Sequence, residues 1–265
     1  MLANFHTHST FSDGKHTPEE IVQLAIEQGF DCIGFSDHGN TPFDLRYCMT
    51  DLDGYIAEIN RLKIKYAGKI TLLLGIEEDI FAPVDRTKFD YVISSSHYLY
   101  KDGVYLPYDS TYDYFSEANS HFQNPLEMAK QYFATLCDYL EKNPPTIIGH
   151  FDLITKYEGK ETSVFFNDTA YWELAEQAIK RAVKIGAVFE VNTGLITRGY
   201  RTSPCPHDRL LKIIFESGGK IVLSSDSHQK ETLTAYFDKA KKLLKEIGFT
   251  KAYALTSGGW KSYDL

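Results

Sequence analysis

The chain has 265 residues, 43% hydrophobic and 14% aromatic, enough to bury a substantial core and too many for a peptide-scale scaffold. Asp and Glu outnumber Lys and Arg 36 to 28, a formal charge of −8, which argues against a general attraction for nucleic acid or anionic lipid. An anionic substrate therefore requires a local group of cations.

Short apolar, β-branched runs alternate with longer amphipathic stretches, the pattern of βα units around a parallel sheet. Strands are expected at Leu2–His6, Cys32–Ser36, Ile70–Gly75, Tyr91–Ser95, Thr146–Gly149, Val188–Asn192 and Lys220–Ser224. Thr17-Pro18-Glu19-Glu20 supplies a helix cap, a proline at the first helical position and a capping-box glutamate, and Asn124-Pro125-Leu126-Glu127 repeats the device. Trp172–Ile185 carries an apolar stripe that predicts a helix covering a sheet, and Leu210–Phe215 and Leu233–Ile247 read the same way. Thr41–Thr50 and the tyrosine-rich Tyr98–Gln123 are expected as long loops, candidate lids or specificity elements, and Thr256–Trp260 as a turn and packing element. The expectation is one α/β domain over residues 1–265, a distorted seven-stranded (β/α)7 TIM-like barrel, with a doubly wound open sheet as the alternative. Both architectures put chemistry at the C-terminal ends of the strands.

Cys32, Cys48, Cys137 and Cys205 form no C-x-x-C pair and read as reduced thiols. With neither a secretory leader nor an apolar run approaching the roughly 20 residues that span a bilayer, a cytoplasmic protein is expected.

His6-Thr7-His8 ends the first expected strand, and a strand period of two aims both imidazoles the same way, a metal-ligand arrangement. Asp37-His38 follows the second strand, Glu77 and Glu78 the third, His97 the fourth, His150 the fifth and Asp226-Ser227-His228 the seventh. Random scatter of nine histidines is not expected to align six of them with carboxylates at one end of successive strands. Imidazole and carboxylate without thiolate favour Zn²⁺, Mn²⁺ or Fe, and so many ligands imply two or three divalent ions. Paired metals suit in-line displacement at phosphorus, by attack of a metal-bridging hydroxide.

His6-Thr7-His8-Ser9-Thr10-Phe11-Ser12-Asp13-Gly14, Ser36-Asp37-His38, Gly75-Ile76-Glu77, Ser96-His97, Gly149-His150 and Asp226-Ser227-His228 resemble the motifs of the polymerase and histidinol phosphatase (PHP) family. The resemblance implies a trinuclear metal centre: His6, His8, Glu77 and Asp226 around one ion, Asp13, His38 and His228 around a second, and Glu77, His97 and His150 around a third. The Gly-x-Glu motif selects Glu77 over Glu78. Gly149-His150-Phe151-Asp152-Leu153-Ile154 and Glu190-Val191-Asn192-Thr193-Gly194 are most similar to the stand-alone histidinol-phosphate phosphatases, which implies hydrolysis of L-histidinol phosphate to L-histidinol and phosphate in histidine biosynthesis. The alternatives are a PHP-type phosphoesterase acting on nucleotides or nucleic-acid ends and an amidohydrolase-type C–N hydrolase.

Arg198 and Arg201 follow the sixth strand, where a guanidinium could clamp phosphate, and together with Asp226 and His228 they form the expected catalytic set. Ser96, Asn192, Lys156 and His207 are further candidates for binding substrate, while Ser95, Glu190 and Thr193 could orient substrate or ligands. Asp102, Asp109 and Tyr98 are candidates for the amine and imidazole of histidinol, and His16 and His121 are expected at the surface. The absence of a Gly-x-Ser-x-Gly elbow and of a Gly-x-x-x-x-Gly-Lys loop removes serine-hydrolase and P-loop readings. The expected partner is a small phosphomonoester, with neither nucleic acid nor membrane, in a monomer or homodimer.

Overall fold

The computed structural model describes residues 1–158 and 164–265. Strand β1 (Ala3–Asn4) leads to α1 (Pro18–Glu27), where the Thr17 hydroxyl accepts from the Glu20 N–H and the Glu20 carboxylate accepts from the Thr17 N–H, closing the capping box. Next come β2 (Cys32–Phe35), α2 (Leu52–Lys65), β3 (Thr71–Asp79) and β4 (Tyr91–Ser95). A hairpin of β5 (Tyr98–Lys101) and β6 (Val104–Pro107), helices α3 (Tyr112–Ser120) and α4 (Pro125–Lys142), and β7 (Ile147–Ile148) follow. The remainder is α5 (Thr169–Val183), β8 (Val188–Asn192), α6 (Gly194–Thr197), α7 (Asp208–Glu216), β9 (Ile221–Ser224), α8 (Phe237–Ile247) and a hairpin of β10 (Lys251–Thr256) and β11 (Gly259–Asp264).

The principal sheet runs β1-β2-β3-β4-β7-β8-β9, and every neighbouring pair is parallel. Beyond the ends of β1 and β9 the chain bonds back on itself: the His8 N–H donates to the Ser227 carbonyl at 2.9 Å and the Ser227 N–H to the His6 carbonyl at 3.2 Å. The result is a nearly closed seven-stranded barrel with surrounding helices, and the open-sheet alternative is excluded. Phe5, Tyr91, Ile93, Ile147, Val188 and Val222 form a buried cluster with Ala254 and Leu255 of the C-terminal hairpin, and Trp260 packs against it. No helix among the described residues is long and apolar enough to cross a membrane.

Three expectations change, the first being that the helix expected over Leu233–Ile247 begins at Phe237, after Tyr236 in the left-handed conformation at φ 61°. Tyr98–Gln123 is not loop throughout: Asp102 and Gly103, at φ 50° and 86°, make the tight turn of the β5–β6 hairpin, and Thr111 caps α3 by accepting from the Tyr114 N–H. The third strand also runs past Gly75 to Asp79, because its first half pairs with β2 and its second half, from Gly75↔Tyr91 to Asp79↔Ser95, pairs with β4. Glu77, Glu78 and Asp79 thus lie on the strand and alternate in direction.

Tyr91 crosses the barrel interior and donates its hydroxyl to the Phe5 carbonyl at 2.6 Å, with the Phe35 carbonyl at 3.1 Å. This crossing leaves no room at Gly34, where an added Cβ would lie 2.3 Å from the Tyr91 hydroxyl oxygen. Gly34→Ala is expected to destabilise the fold by about 1–3 kcal/mol in denaturant unfolding. Combined with Tyr91→Phe it should cost less than the sum of the two single changes, and strict additivity would contradict the contact.

Candidate metal centre

At the C-terminal rim of the barrel, nine side chains from six strand ends converge: His6, His8, Asp13, His38, Glu77, His97, His150, Asp226 and His228. The approach of Asp13 is set by buried Asp37, which accepts from the Ser9 N–H at 2.7 Å, the Ser9 hydroxyl at 2.9 Å, the Ser12 N–H at 3.1 Å and the Ser12 hydroxyl at 2.7 Å. The turn closes so tightly that a Cβ on Gly14 would meet the His8 carbonyl oxygen at 2.4 Å, which is why glycine follows Asp13.

Glu77 occupies the middle. Its Oε2 is 2.9 Å from His38 Nδ1, 3.2 Å from His6 Nε2 and 3.6 Å from His8 Nε2, and its Oε1 is 3.0 Å from His150 Nε2 and 3.4 Å from His97 Nε2. Glu78 faces the other way and is held by Arg86, Ser94 and Tyr139. Asp226 Oδ1 completes the inner group at 3.2 Å from His8 Nε2 and 3.6 Å from His6 Nε2. On the outer side Asp13 lies 3.3 Å from His228 Nε2 and 3.8 Å from both His38 Nε2 and His8 Nδ1. The nine form one continuous cluster rather than three separate sets: His8 also stands with Asp13, His38 and His228, while His38 also stands with Glu77 and His97.

The donor atoms fit metal ions. His6 Nε2, both His8 ring nitrogens and Glu77 Oε2 are buried with no hydrogen-bond partner, an arrangement that desolvation makes costly unless a cation fills it. Two ligands each ~2.1 Å from one ion lie about 3.0–3.4 Å apart for octahedral or tetrahedral angles, and the inner contacts, 2.9 to 3.6 Å, bracket that range. Supporting groups set the imidazoles: Glu190 Oε2 is 2.8 Å from His6 Nδ1, and Asp79 Oδ2 is 3.2 Å from His97 Nδ1, so the opposite nitrogen of each ring is turned inward. Glu190 also accepts from the His150 N–H and, at 3.0 Å, from Asn192 Nδ2.

Electrostatics prepare the donors. Burial drives the Glu77 carboxyl up, but His6, His38, His97 and His150 outweigh it and hold it well below the usual carboxylate range. Asp226 is likewise held low against burial, by Arg198, His6, His8 and His228. Burial, with His228 and His38 close by, pushes His8 down to about 3, so its ring is neutral and one of its nitrogens offers a lone pair. Ionised carboxylates are the state metal binding needs, whereas His6, His97 and His228, held above the ordinary imidazole value against burial by Glu190, Glu77 and Asp13, give up a proton when an ion binds. Asp226 also has φ 49°, a strained left-handed conformation for a residue with a side chain, and its carbonyl is held by Arg198 Nη1 at 3.0 Å.

A cavity of about 470 Å³ opens over the cluster. Of the sequence-nominated substrate residues, Arg198 and Lys156 line it. Arg198 Nη2 donates to Asp226 Oδ2 at 2.8 Å, and Lys156 donates to the Asp109 carbonyl with its ammonium 4.7 Å from the Tyr200 ring centroid. The other four do not line it. Arg201 turns inward, donating from Nη1 and Nη2 to Asp152 at 3.2 Å, Thr155 at 2.7 Å, Ser203 at 3.0 Å and the Pro204 carbonyl at 3.1 Å, so it is held in the interior away from the cavity and its expected phosphate contact is withdrawn. His207 packs between Phe166 and Trp172 and caps α7, Ser96 donates to the Tyr98 carbonyl, and Asn192 spans Glu190 and the Gly194 N–H. Asp109 and Tyr98 face the cavity, whereas Asp102 sits in the exposed hairpin turn. His121 is exposed and His16 is half-buried, accepting from the Lys230 N–H. Asp44, Arg46 and Tyr47, from the Thr41–Thr50 loop expected as a lid or specificity element, and Tyr200 also line the cavity; none was singled out individually, since irregular loops offer no period to place them.

Residues 4–194 match the model of the PHP domain family. The chain is 31% identical to the "Probable histidinol-phosphatase" of Schizosaccharomyces pombe over 97% of this chain and 90% of that protein. It is 27% identical to the histidinol-phosphatase of Lactococcus lactis over 93% of this chain and 91% of that one. A crystal structure of histidinol phosphate phosphatase from Lactococcus lactis, complexed with zinc, L-histidinol and phosphate, matches with a TM-score of 0.74 at 24% identity over 98% of each chain. Barrel, donor set and sequence likeness agree, and the chain belongs to the PHP domain family.

Proposed function

We propose that this protein is a metal-dependent phosphomonoesterase that hydrolyses L-histidinol phosphate to L-histidinol and phosphate, a step of histidine biosynthesis. The observation that carries the reading is the cavity itself, whose floor is the imidazole and carboxylate cluster around Glu77 and whose wall presents Arg198 and Lys156. The curated relatives, which it matches over nearly their whole length, bear the name histidinol-phosphatase and support the choice of substrate.

His6, His8, Glu77 and Asp226 would hold one ion, Asp13, His38 and His228 a second, and Glu77, His97 and His150 a third, drawn from Zn, Mn or Fe. When bound, such ions supply an acidified water and positive charge against the oxygens of a phosphoryl group. Arg198 donates to the Asp226 carbonyl and carboxylate, which fixes its plane, and it lines the cavity, where its guanidinium would meet a phosphate oxygen. Lys156 adds a second cation, orientated by the Asp109 carbonyl and the Tyr200 ring. Asp226 and His228 stand beside Arg198, with His228 Nδ1 3.5 Å from Arg198 Nη1, so these three side chains surround the place where charge builds on the transferred group. Four buried, free cysteines suit a reducing cytoplasmic setting.

Protein stripped with chelator and reloaded with Zn²⁺, Mn²⁺ or Fe²⁺ should release phosphate from L-histidinol phosphate with kcat/KM at least about a hundredfold above that for a nucleoside monophosphate, a short 5′-phosphorylated oligonucleotide or p-nitrophenyl phosphate. The stripped protein should be inactive. Equal or faster turnover of a nucleotide would move the function to nucleotide processing.

The two arginines should separate cleanly. Arg198→Ala is expected to lower kcat/KM by roughly 10²- to 10³-fold through loss of transition-state charge stabilisation. Arg201→Ala leaves Asp152 buried without its cation and should destabilise the fold by about 3–5 kcal/mol, seen as a lowered unfolding midpoint. An Arg201 variant of unchanged stability would contradict the interior role.

A further inference from the structure

Away from the metal-facing cluster, the cavity wall carries two carboxylates, Asp44 and Asp109, and they differ in what they already hold. Asp44 is saturated: Oδ1 accepts from Arg46 Nε at 2.8 Å and the Arg46 N–H at 3.2 Å, while Oδ2 accepts from Arg46 Nη2 at 2.5 Å and the Tyr98 hydroxyl at 2.8 Å. Asp109 is anchored only by its backbone. Its carbonyl accepts from Lys156 Nζ and, at 3.0 Å, from the Tyr157 hydroxyl, and its carboxylate has no hydrogen bond or ion pair among the described residues. The side chain lines the cavity, close enough to Lys156 and Arg198 to favour their charged forms.

On the same wall the Tyr47 hydroxyl is buried beside Tyr98 and Thr41 without hydrogen-bond geometry to either, and its ring stands edge-on to His38 at 4.7 Å between centroids. The Asp109 carboxylate and Tyr47 therefore line one space with Arg198, Lys156 and the metal-facing cluster. Asp109 is half-exposed, so its carboxylate is open to a ligand cation, and a site that pairs a charged group of the substrate discriminates against analogues that lack it.

We infer that the Asp109 carboxylate is the specificity-determining group for the ammonium of an amino-alkyl phosphate, so that the cavity measures a substrate from its phosphate end to its amine. The inference rests on the proposed activity and names the residue that gives it its substrate class. Asp44 does not take this role, because Arg46 and Tyr98 already occupy its oxygens. The backbone anchor on Lys156 and Tyr157 keeps the Asp109 side chain in place before substrate arrives, which limits the ordering cost of binding.

The test compares L-histidinol phosphate with its deaminated analogue, 3-(imidazol-4-yl)propyl phosphate, in metal-loaded wild type and in Asp109→Asn and Asp109→Ser, each checked by thermal unfolding. Wild type should prefer the amine substrate by at least about 30-fold in kcat/KM, and both variants should bring that ratio to within about threefold, with the change carried mainly by KM. A ratio that survives in the variants overturns the assignment of Asp109, including the case in which both substrates slow together. Wild type that does not hydrolyse L-histidinol phosphate overturns the proposed activity instead, so the two failures are distinct. If one variant does not fold, the other supplies the ratio. Isothermal titration of L-histidinol and its deaminated alcohol into wild type gives the same comparison without turnover: equal affinities overturn the inference and tighter histidinol binding supports it.

Discussion

A carboxylate with no exposed surface has to be matched inside the protein, and Glu77 is ringed by five imidazoles from four other strand ends, of which His6, His38, His97 and His150 hold its charge. Much of the rim follows from that requirement. β3 must continue past Gly75 to bring Glu77 to the centre, and its pairing must pass from β2 to β4 to do so. The alternation that turns Glu77 inward turns Glu78 outward, where Arg86 neutralises it, and Asp79 inward again behind His97. With this much like and unlike charge packed into a water-poor space, the cluster is poised for divalent cations, which convert mutual repulsion of lone pairs into coordination bonds.

The surrounding shell makes that arrangement rigid. Asp37, Glu190 and Asp79 contact the ligand-bearing loops rather than the cavity, and each uses its oxygens to fix a ring or a turn. Asp226 is held in a left-handed backbone conformation by Arg198 and by the His8–Ser227 bridge that closes the barrel, so fold closure and site assembly share the same hydrogen bonds. Arg198 and Arg201 show how burial decides the fate of one residue type: three positions apart, one ties Asp226 and faces the cavity, and the other is sealed against Asp152 behind it.

The strand positions were legible because six of the seven apolar runs end where a histidine or acidic group begins, and the same boundary marked the rim residues. His6 and His8 were legible through a period of two. What escaped depends on partners distant in sequence. Nothing local distinguishes Arg201 from Arg198, since the deciding carboxylate is 49 residues away at Asp152. His207 follows the same logic, drawn into an aromatic slot by Phe166 and Trp172. Asp79 was hidden in a run of three acidic residues whose direction only the extended strand resolves, and the Asp102-Gly103 turn was passed over within a tyrosine-rich stretch that read as loop. The cavity residues Asp44, Arg46 and Tyr47 come from an irregular segment, so neither helical nor strand periodicity could point to them.

Anomalous diffraction from crystals of metal-reloaded protein, collected at the Zn, Mn and Fe absorption edges, tests most directly whether the cluster around Glu77 is a multinuclear metal centre. At least two anomalous peaks are expected, each within about 2.0–2.2 Å of imidazole nitrogens and carboxylate oxygens of the nine rim residues, with Glu77 shared between two of them. Reloaded crystals with no peak at the rim, or with one ion held away from Glu77, would contradict it.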